Sequence, residues 1–551
     1  MKKLKILSII LAISIMVVGC SDKIESGQKK DTDKSSMNLE YINLTMVKPT
    51  TINPILNKDK SVGYITNLIY DGLFTIDENY NVVPQLVKEY GISQDGMSID
   101  IKLKNAKWHD GTTVTSQDVK FSVDLIQKNT DSPYNVLTQN IASISIANNS
   151  EFTINFKEKY AFSVDTLIFP IVSQSKLGSV SDKDIKDYKK NLIGNGPYKI
   201  EKYEERDGMI LTRNEEYYNE LPNTTKDIKV GIVPDEEAQV SMVMALDSDI
   251  AGVSLNDLSK FYEKEFNITK YEGRDYESLI FNYNNPFLRD VNFRKAIAHA
   301  INREKIAEEG YMGDAKLINF PLNSNSKYYN KDVKVVDYNK DKSKEYLDKV
   351  KPITDEQIQN LINKDNANKS YKEAEKNKTD IKDNDQKNSE ENIKKMITKL
   401  NLKIIVNKNN TERVKSAHMI GEYLKTIGIK STIEELEDKD IEDAINSKDY
   451  DLALVGWELS IVPDVRSIIE SSGYNDEKLN NYMESLSSAT SQSQVEDIYK
   501  SIQKYINDNV IFMSLVIRDD YMVTNRRVQG EISPNDFDVY EGIINLTIKD
   551  K

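Results

Sequence analysis

Apolar residues along the chain recur with two periods, and the changes of period mark its elements. Residues 41–47 and 98–103 (Ser98-Ile99-Asp100-Ile101-Lys102-Leu103) alternate as half-buried strands do. Residues 402–406 and 429–434 read as further strands, joined by an amphipathic helix over 413–427 that Gly428 ends. The strongest pattern runs from 278 to 306. There Leu279, Ile280, Phe281, Tyr283 and Phe287 crowd together as a buried strand entering a loop. Asp290 is placed to cap the next helix, its carboxylate accepting from free N–H groups of the first turn. Phe293, Ala296, Ile297, Ala300, Ile301 and Ile306 then line one helical face. A further helix is expected over 338–350, and the mixture of periods predicts an α/β protein.

Short runs punctuate these elements. Ile69-Tyr70-Asp71-Gly72-Leu73-Phe74 reads as a helix end turning through Asp-Gly into a strand, and Val83-Pro84-Gln85-Leu86-Val87 follows. After the turn Lys107-Trp108-His109-Asp110-Gly111, Thr115 and Asp118 stand at capping-box spacing. Gly194-Asn195-Gly196-Pro197-Tyr198 starts like a dinucleotide fingerprint. The third glycine's position is Lys199, however, and no acidic residue closes a βαβ unit, so a phosphate-binding reading fails. His109, His299 and His418 are the only histidines, at no metal-ligand or general-base spacing, and His109 reads as a turn residue.

These runs resemble the extracellular solute-binding proteins of family 5, the dipeptide, oligopeptide and nickel binders of ABC importers. The resemblance rests on the Asp71-Gly72-Leu73 turn, the Trp108-to-Asp118 stretch, Gly194-to-Tyr198 and Arg213-Asn214-Glu215-Glu216-Tyr217-Tyr218. It continues through Asp249-Ile250-Ala251, and through Phe281-Asn282 with Asp290, Arg294, Ala296-Ile297, Ala300-Ile301 and Asn302-Arg303. Tyr450-to-Trp457, Phe512-to-Leu515 and Val528-Gln529-Gly530 complete it, so that it spans about residues 39–545.

Composition adds an address. Lysines 2, 3 and 5 precede an apolar run over 6–18, too short to span a bilayer, which ends Val17-Val18-Gly19-Cys20. That run resembles a bacterial lipoprotein signal, and Cys20 is the chain's only cysteine, placed where diacylglycerol would be attached. Loss of residues 1–19 removes three lysines and takes the formal charge from −14 to −17, which argues against a nucleic-acid partner. Residues 21–40 are polar and read as a tether. In 363–392, four apolar residues (Ala367, Tyr371, Ala374 and Ile381) stand among Lys, Asn, Asp and Glu. Too little surface can be buried there to offset ordering, so a solvated insertion is expected.

The resemblance implies a two-lobed periplasmic-binding-protein-like α/β fold, type II and cluster C-like, with an extra subdomain in the first lobe and hinge strands between lobes. The expected division is a signal peptide at 1–19, a tether at 20–40 and lobe I at 41–283, including the extra subdomain at about 70–190. Lobe II follows at 284–512, with the insertion at about 363–392, and 513–551 returns to lobe I. Ligand would lie between the lobes. Matching positions are Trp457 in the second lobe, Asn282 and Tyr283 at the crossover, Asn195 and Gly196 at a turn facing the cleft, and Thr51, Asn53 and Pro54 on the opposite wall. Oligopeptide binders of the family place an aspartate three residues past the tryptophan to hold the peptide ammonium. That position here is Ser460, flanked by Glu458 and Asp464; Glu458 is the preferred substitute.

The expected activity is that of a lipid-anchored, monomeric, extracytoplasmic binder of oligopeptides or another small solute, passing them to an ABC permease. It touches the membrane through its lipid alone and needs no cofactor or metal. Alternatives are a nickel-chelate or haem binder on the same fold, or a lipoprotein that binds a peptide pheromone for signalling. A hydrolase is disfavoured: no G-x-S-x-G, H-E-x-x-H or Cys–His arrangement occurs.

Overall fold

Two long strands run side by side across the molecule and carry its largest sheet. Phe266–Phe281 pairs antiparallel with Met513–Asn525. The sequence pattern revealed only one end of each, at 278–281 and 512–515. Their other halves place Asn267, Thr269, Lys270 and Glu272 opposite Asp519, Asp520 and their neighbours, which dilutes the apolar signal. The computed structural model describes residues 41–186, 192–334, 336–351 and 390–549, with backbone alone for 182, 186 and 390–393. The signal peptide, Cys20, the tether and 363–389 of the expected insertion lie outside the described residues; 390–392 open the helix Glu390–Lys399.

The sheet continues from Phe266–Phe281 through Leu452–Glu458 and Asn401–Asn407 to Lys430–Leu436. Asn401–Asn407 is parallel to both of its neighbours, and the helices Thr411–Thr426 and Asp438–Ser447 make the crossovers, as βαβ connection requires. On the far side, Ile250–Val253 and Ala315–Leu317 share the outer edge of Met513–Asn525. The ladder between the two long strands lapses between Glu272 and Tyr276, leaving Gly273, Arg274 and Asp275 out of register. On the opposite edge, Asp275 and Tyr276 still pair with Glu458 and Trp457. A bulge of this kind bends the strand and re-aims a side chain.

Two four-stranded sheets precede the crossing. Ile42–Val47 lies parallel to Asp227–Val233, which continues antiparallel to Gly208–Arg213 and Tyr198–Glu204. A separate antiparallel sheet, Val87–Ile92, Ser98–Leu103, Glu151–Phe156 and Ile141–Ile146, falls within the span expected for the extra subdomain. One core joins these two sheets to Val539, Tyr540, Ile543 and Leu546 near the C-terminus. A second lies between the main sheet and the helices Val291–Ala300 and Thr411–Thr426. A third lies under the helix Gln492–Asn509, and it also takes Phe162 from the early part of the chain. The ring of Phe162, fully buried, stands 6.1 Å from that of Tyr328 and 5.9 Å from that of Tyr499.

The helix after the crossing begins as its sequence indicates, with Asp290 accepting from Asn292 N–H at 2.7 Å. Its Arg294 is 1 % exposed, and its guanidinium donates to backbone carbonyls alone: Leu288 and Arg289 from Nη1, Asn509 and Val510 from Nε. Those carbonyls close the short helix Pro286–Arg289 and the helix Gln492–Asn509, whose last C=O groups lack intrahelical partners and carry partial negative charge. The rings of Tyr283 and Tyr474 flank the guanidinium at 5.1 and 5.6 Å. One cation thus ties the crossing to a helix end more than two hundred residues later. Lysine has neither the planar fork nor the five donors. Arg294→Lys is expected to lower stability by roughly 3 kcal/mol, read as a shift of the urea midpoint; an unchanged midpoint would remove Arg294 from this role.

Candidate functional site

The bulge in Phe266–Phe281 brings together charges from four separated segments. Arg274 Nη2 donates to Glu458 Oε1 at 2.5 Å, and its Nε donates to Asp536 Oδ2 at 2.5 Å. Its Nη1 donates to Leu459 O at 2.6 Å, and the face of the guanidinium lies 4.2 Å from the Phe537 ring centroid. Lys60, at the start of the helix Lys60–Asn67, reaches the same two acids, at 3.0 Å to Glu458 Oε1 and 3.4 Å to Asp536 Oδ2. Burial alone would push the Glu458 carboxyl up, but Lys60 and Arg274 outweigh it and hold it below the usual range. Both cations bind Oε1; Oε2 has no hydrogen-bond partner among the described residues. Asp520, one strand away, is pushed up to about 7 by burial and by the carboxylates of Asp536 and Asp275.

Beside this cluster lies a cavity of about 140 Å³. It is lined by Tyr80, Arg274, Leu322 and Asn323, by the stretch from Trp457 to Val465, and by Ser467 and Ile468. Pairing with Tyr276 fixes Trp457, and the two rings stack at 6.0 Å with 30° between planes. Gly456 precedes it because Glu277 and Arg413 form a bidentate pair directly above (2.8 and 2.9 Å). A Cβ on residue 456 would stand 2.3 Å from Arg413 Nη2. Asp464, a second acid of the cavity wall, is held by Arg466 (Nη2 at 2.6 Å) and by the Tyr160 hydroxyl at 2.9 Å. Tyr80, which lines the cavity, comes from the early part of the chain, as do Lys60 and Tyr160 beside it, so segments from both sides of the crossing meet here.

Of the residues expected at the site, Trp457 and Glu458 are brought together here, with Ser460 and Asp464 on the same wall. The others lie elsewhere, bonded to neighbouring segments. Asn282 donates to the carbonyls of Lys448 (2.9 Å) and Tyr450 (2.5 Å), which locks the first crossing strand to the turn before Leu452–Glu458. The Tyr283 hydroxyl donates to Ile511 O, and its ring packs edge-on against Tyr474 at 5.0 Å. Thr51 Oγ1 accepts from Asn53 N–H at 3.1 Å. Asn53, 1 % exposed, shapes its own turn by accepting from Ile55 N–H and donates to Ile185 O at 3.2 Å.

Asn195 and Gly196 belong to a knot of motifs around Ile69 and Asp71. Asn195 Oδ1 accepts from Asp71 N–H at 2.8 Å, while the N–H groups of Asn195 and Gly196 donate to Ile69 O. The approach is so close that a Cβ on residue 194 would lie 1.9 Å from that oxygen, and one on residue 196 within 2.7 Å of the Ile69 carbonyl carbon. His109 brackets the same turn: Nδ1 accepts from Gly194 N–H at 3.2 Å and Nε2 meets Gly196 O at 3.1 Å. Burial pushes its pKa down to about 4, so the ring is neutral. Asp71, fully buried, accepts from the hydroxyls of Tyr217 (2.9 Å) and Tyr218 (2.6 Å) and from Gln85 Nε2 (2.8 Å). The motifs of residues 69–74, 83–87, 107–111, 194–198 and 213–218 therefore form one bonded unit.

Sequence reasoning passed over Lys60, Arg274, Asp536 and Asn323. Arg274, set between Gly273 and Asp275 just before a buried run, carried the clearest local sign. The other three reach the site through tertiary structure and have no local pattern. Among the described residues, no set of three or more His, Cys, Asp and Glu side chains is placed to hold a metal ion, and no helix is long and apolar enough to cross a membrane.

Comparison with known proteins gives the class to which this architecture belongs. The sequence pattern of the bacterial extracellular solute-binding proteins, family 5 (middle), matches residues 81–480, and the chain belongs to that family. It is 25% identical over 558 residues to the oligopeptide-binding protein AppA of Bacillus subtilis, covering 96% of this chain and 95% of AppA. It is 27% identical over 283 residues to the nickel-binding protein NikA of Staphylococcus aureus, covering 51% of this chain and 55% of NikA. The ABC transporter substrate-binding protein CtaP of Listeria monocytogenes shares the fold, with a TM-score of 0.69 at 21% identity over 93% of this chain and 99% of that one. The protein is therefore an extracellular solute-binding protein of family 5 with the two-lobed type II fold, and its family is one of solute binders.

The knot has a pH signature. Burial pushes the Asp71 carboxyl up to about 7, so the folded state favours its protonated form. That contribution to stability is complete below the unfolded carboxylate value, about 4, and is lost as pH rises through about 7. Asp165 and Asp520 are shifted the same way, each to about 7. The urea midpoint of the protein is expected to fall between pH 5 and pH 8. Asp71→Asn should flatten that fall by up to about 1.4 kcal/mol per pH unit.

Proposed function

We propose that the protein binds oligopeptides in the cleft at the crossing strands and delivers them, as a monomer outside the cytoplasm, to the membrane subunits of an ABC permease. The observation that carries this reading is the makeup of the cleft. A mostly apolar cavity adjoins four charges, Lys60, Arg274, Glu458 and Asp536, that already neutralise one another. Such a site suits a ligand that brings apolar side chains and a polar backbone with little net charge. Likeness to a protein named as an oligopeptide binder over 96% of the chain supports the same substrate class.

In this reading residues 41–283 and 513–551 form one lobe and 284–512 the other, with the two long strands as hinge. Trp457 contacts ligand, and Glu458 accepts a ligand N–H on Oε2 without releasing Lys60 or Arg274. Asn282, Tyr283, Asn195, Gly196, Thr51 and Asn53 hold the walls that those contacts stand on. Native mass spectrometry of residues 21–551 from the original host tests the substrate. A ladder of short-peptide masses is expected; a single metal–chelate mass would replace peptide by a nickel-type solute on the same fold.

The lipid anchor is a separate part of the proposal. Cys20, the only cysteine, follows an apolar run and small residues, and it would carry diacylglycerol after removal of 1–19. Cys20→Ala is expected to move the protein from the membrane fraction to the soluble one. Retention in the membrane with lipid label would overturn the anchor.

A further inference from the structure

We propose that the protein takes up one proton from solvent as its lobes close on a solute, and that Asp520, beside the strand bulge, holds it. Solute is then captured more tightly in acid than in alkali. The inference rests on the hinge reading above and adds a regulation to it.

Position is the first argument. Asp520 pairs with Tyr271, next to the last pair before the ladder lapses, so it stands where the first crossing strand bends. Its carboxylate lies against Gly273: a Cβ on residue 273 would stand 2.5 Å from Oδ2. A change in the bend therefore changes what surrounds this carboxylate.

Its company is the second. Asp536 from the C-terminal loop, Asp275 from the bulge and Asp314 from the turn before Ala315–Leu317 all disfavour its charge, and Lys60 favours it. The phenols of Tyr64, Tyr80, Tyr271 and Tyr521 stand around it and stay neutral, because burial and nearby carboxylates push each of them up. The cations are engaged elsewhere: Arg274 and Lys60 with Glu458 and Asp536, and Arg518 with Asp314 at 3.6 Å. Among the described residues Asp520 has no ion pair, and its carboxylate accepts no hydrogen bond. A carboxyl so placed gives up little by being neutral, and burial with these neighbours carries its value up to about 7.

Closure supplies the link. Glu458 is carried by the segment read as lobe II and Lys60 by lobe I, yet the two meet at 3.0 Å, with Arg274 on the same oxygen. Parting the lobes takes Glu458 from Lys60, which leaves that cation to favour an ionised Asp520, and it lets water back to the bulge. Both effects return Asp520 toward the ordinary carboxylate value of about 4. The closed form thus has the raised value: its extra stability is complete below about 4 and is lost as pH rises through about 7. A solute that selects the closed form inherits that dependence.

Calorimetric titration of the whole protein with tri-, tetra- and penta-alanine, repeated in buffers of different ionisation enthalpy, tests the linkage. At pH 5.5 uptake of roughly one proton per peptide bound is expected, and affinity should fall about tenfold or more between pH 5.5 and pH 8. Asp520→Asn, which keeps the shape and stays neutral, should bind without that uptake and with nearly the same affinity at both pH values. Equal affinities at both pH values in the unaltered protein, or a full pH dependence retained by Asp520→Asn, overturn the inference. If no peptide binds at either pH, the peptide reading falls, and the linkage is read without solute from the radius of gyration in solution scattering. That radius should be smaller at pH 5.5 than at pH 8, with the difference lost in Asp520→Asn; an equal radius overturns the linkage as well.

Discussion

The pairing of Phe266–Phe281 with Met513–Asn525 is the constraint on which the rest of the molecule depends. Three further strands of the main sheet, Ile250–Val253, Ala315–Leu317 and Leu452–Glu458, pair directly with one of these two. A continuous ladder would be stiff and flat at the crossing. The lapse at residues 273–275 prevents this, and it turns Arg274 out of the sheet toward acids carried by other segments. The feature that bends the strand therefore also sets the charge in the cleft. Both follow from a short Gly-Arg-Asp run in which the glycine has Asp520 packed against it.

Much of the architecture was legible because it is local. The helix capped by Asp290, the strand Ser98–Leu103 and the helix ending at Gly428 are written in periodicity and caps, and the structure reproduces them to within a residue or two. The long strands were legible only where both faces are buried. Family motifs located the crossing and the knot of turns, but not the partners of the asparagines within them. Asn195 and Asn282 have the chemistry of a binding residue, but each is bonded to a neighbouring turn. An asparagine that fixes a backbone and one that reads a solute look alike in sequence. The difference lies in what the distant chain places opposite them.

The same limit explains the cleft. Lys60, Arg274, Glu458 and Asp536 come from a helix start, a strand bulge, a strand end and a C-terminal loop. No spacing links them. Only Glu458 lay beside a motif. Their mutual neutralisation is a property of the fold, and it changes the meaning of Glu458. Seen alone, that acid would be a counter-ion for a ligand amine. Seen with its partners, it is already paired through Oε1 with two cations, and among the described residues only Oε2 is free of a hydrogen bond.

Phe162 gives the cleft a thermodynamic character of its own. Its ring is sealed within the core of the later half of the chain, against Tyr328 and Tyr499, although it is carried by the earlier half. On the proposed division into lobes, a movement that parts them would draw that ring into water, and solute capture that brings them together would bury it again. Closure would then carry the negative heat-capacity change of apolar burial even when the solute itself is small and polar. The temperature dependence of the binding enthalpy would report the protein's own surface more than that of its cargo.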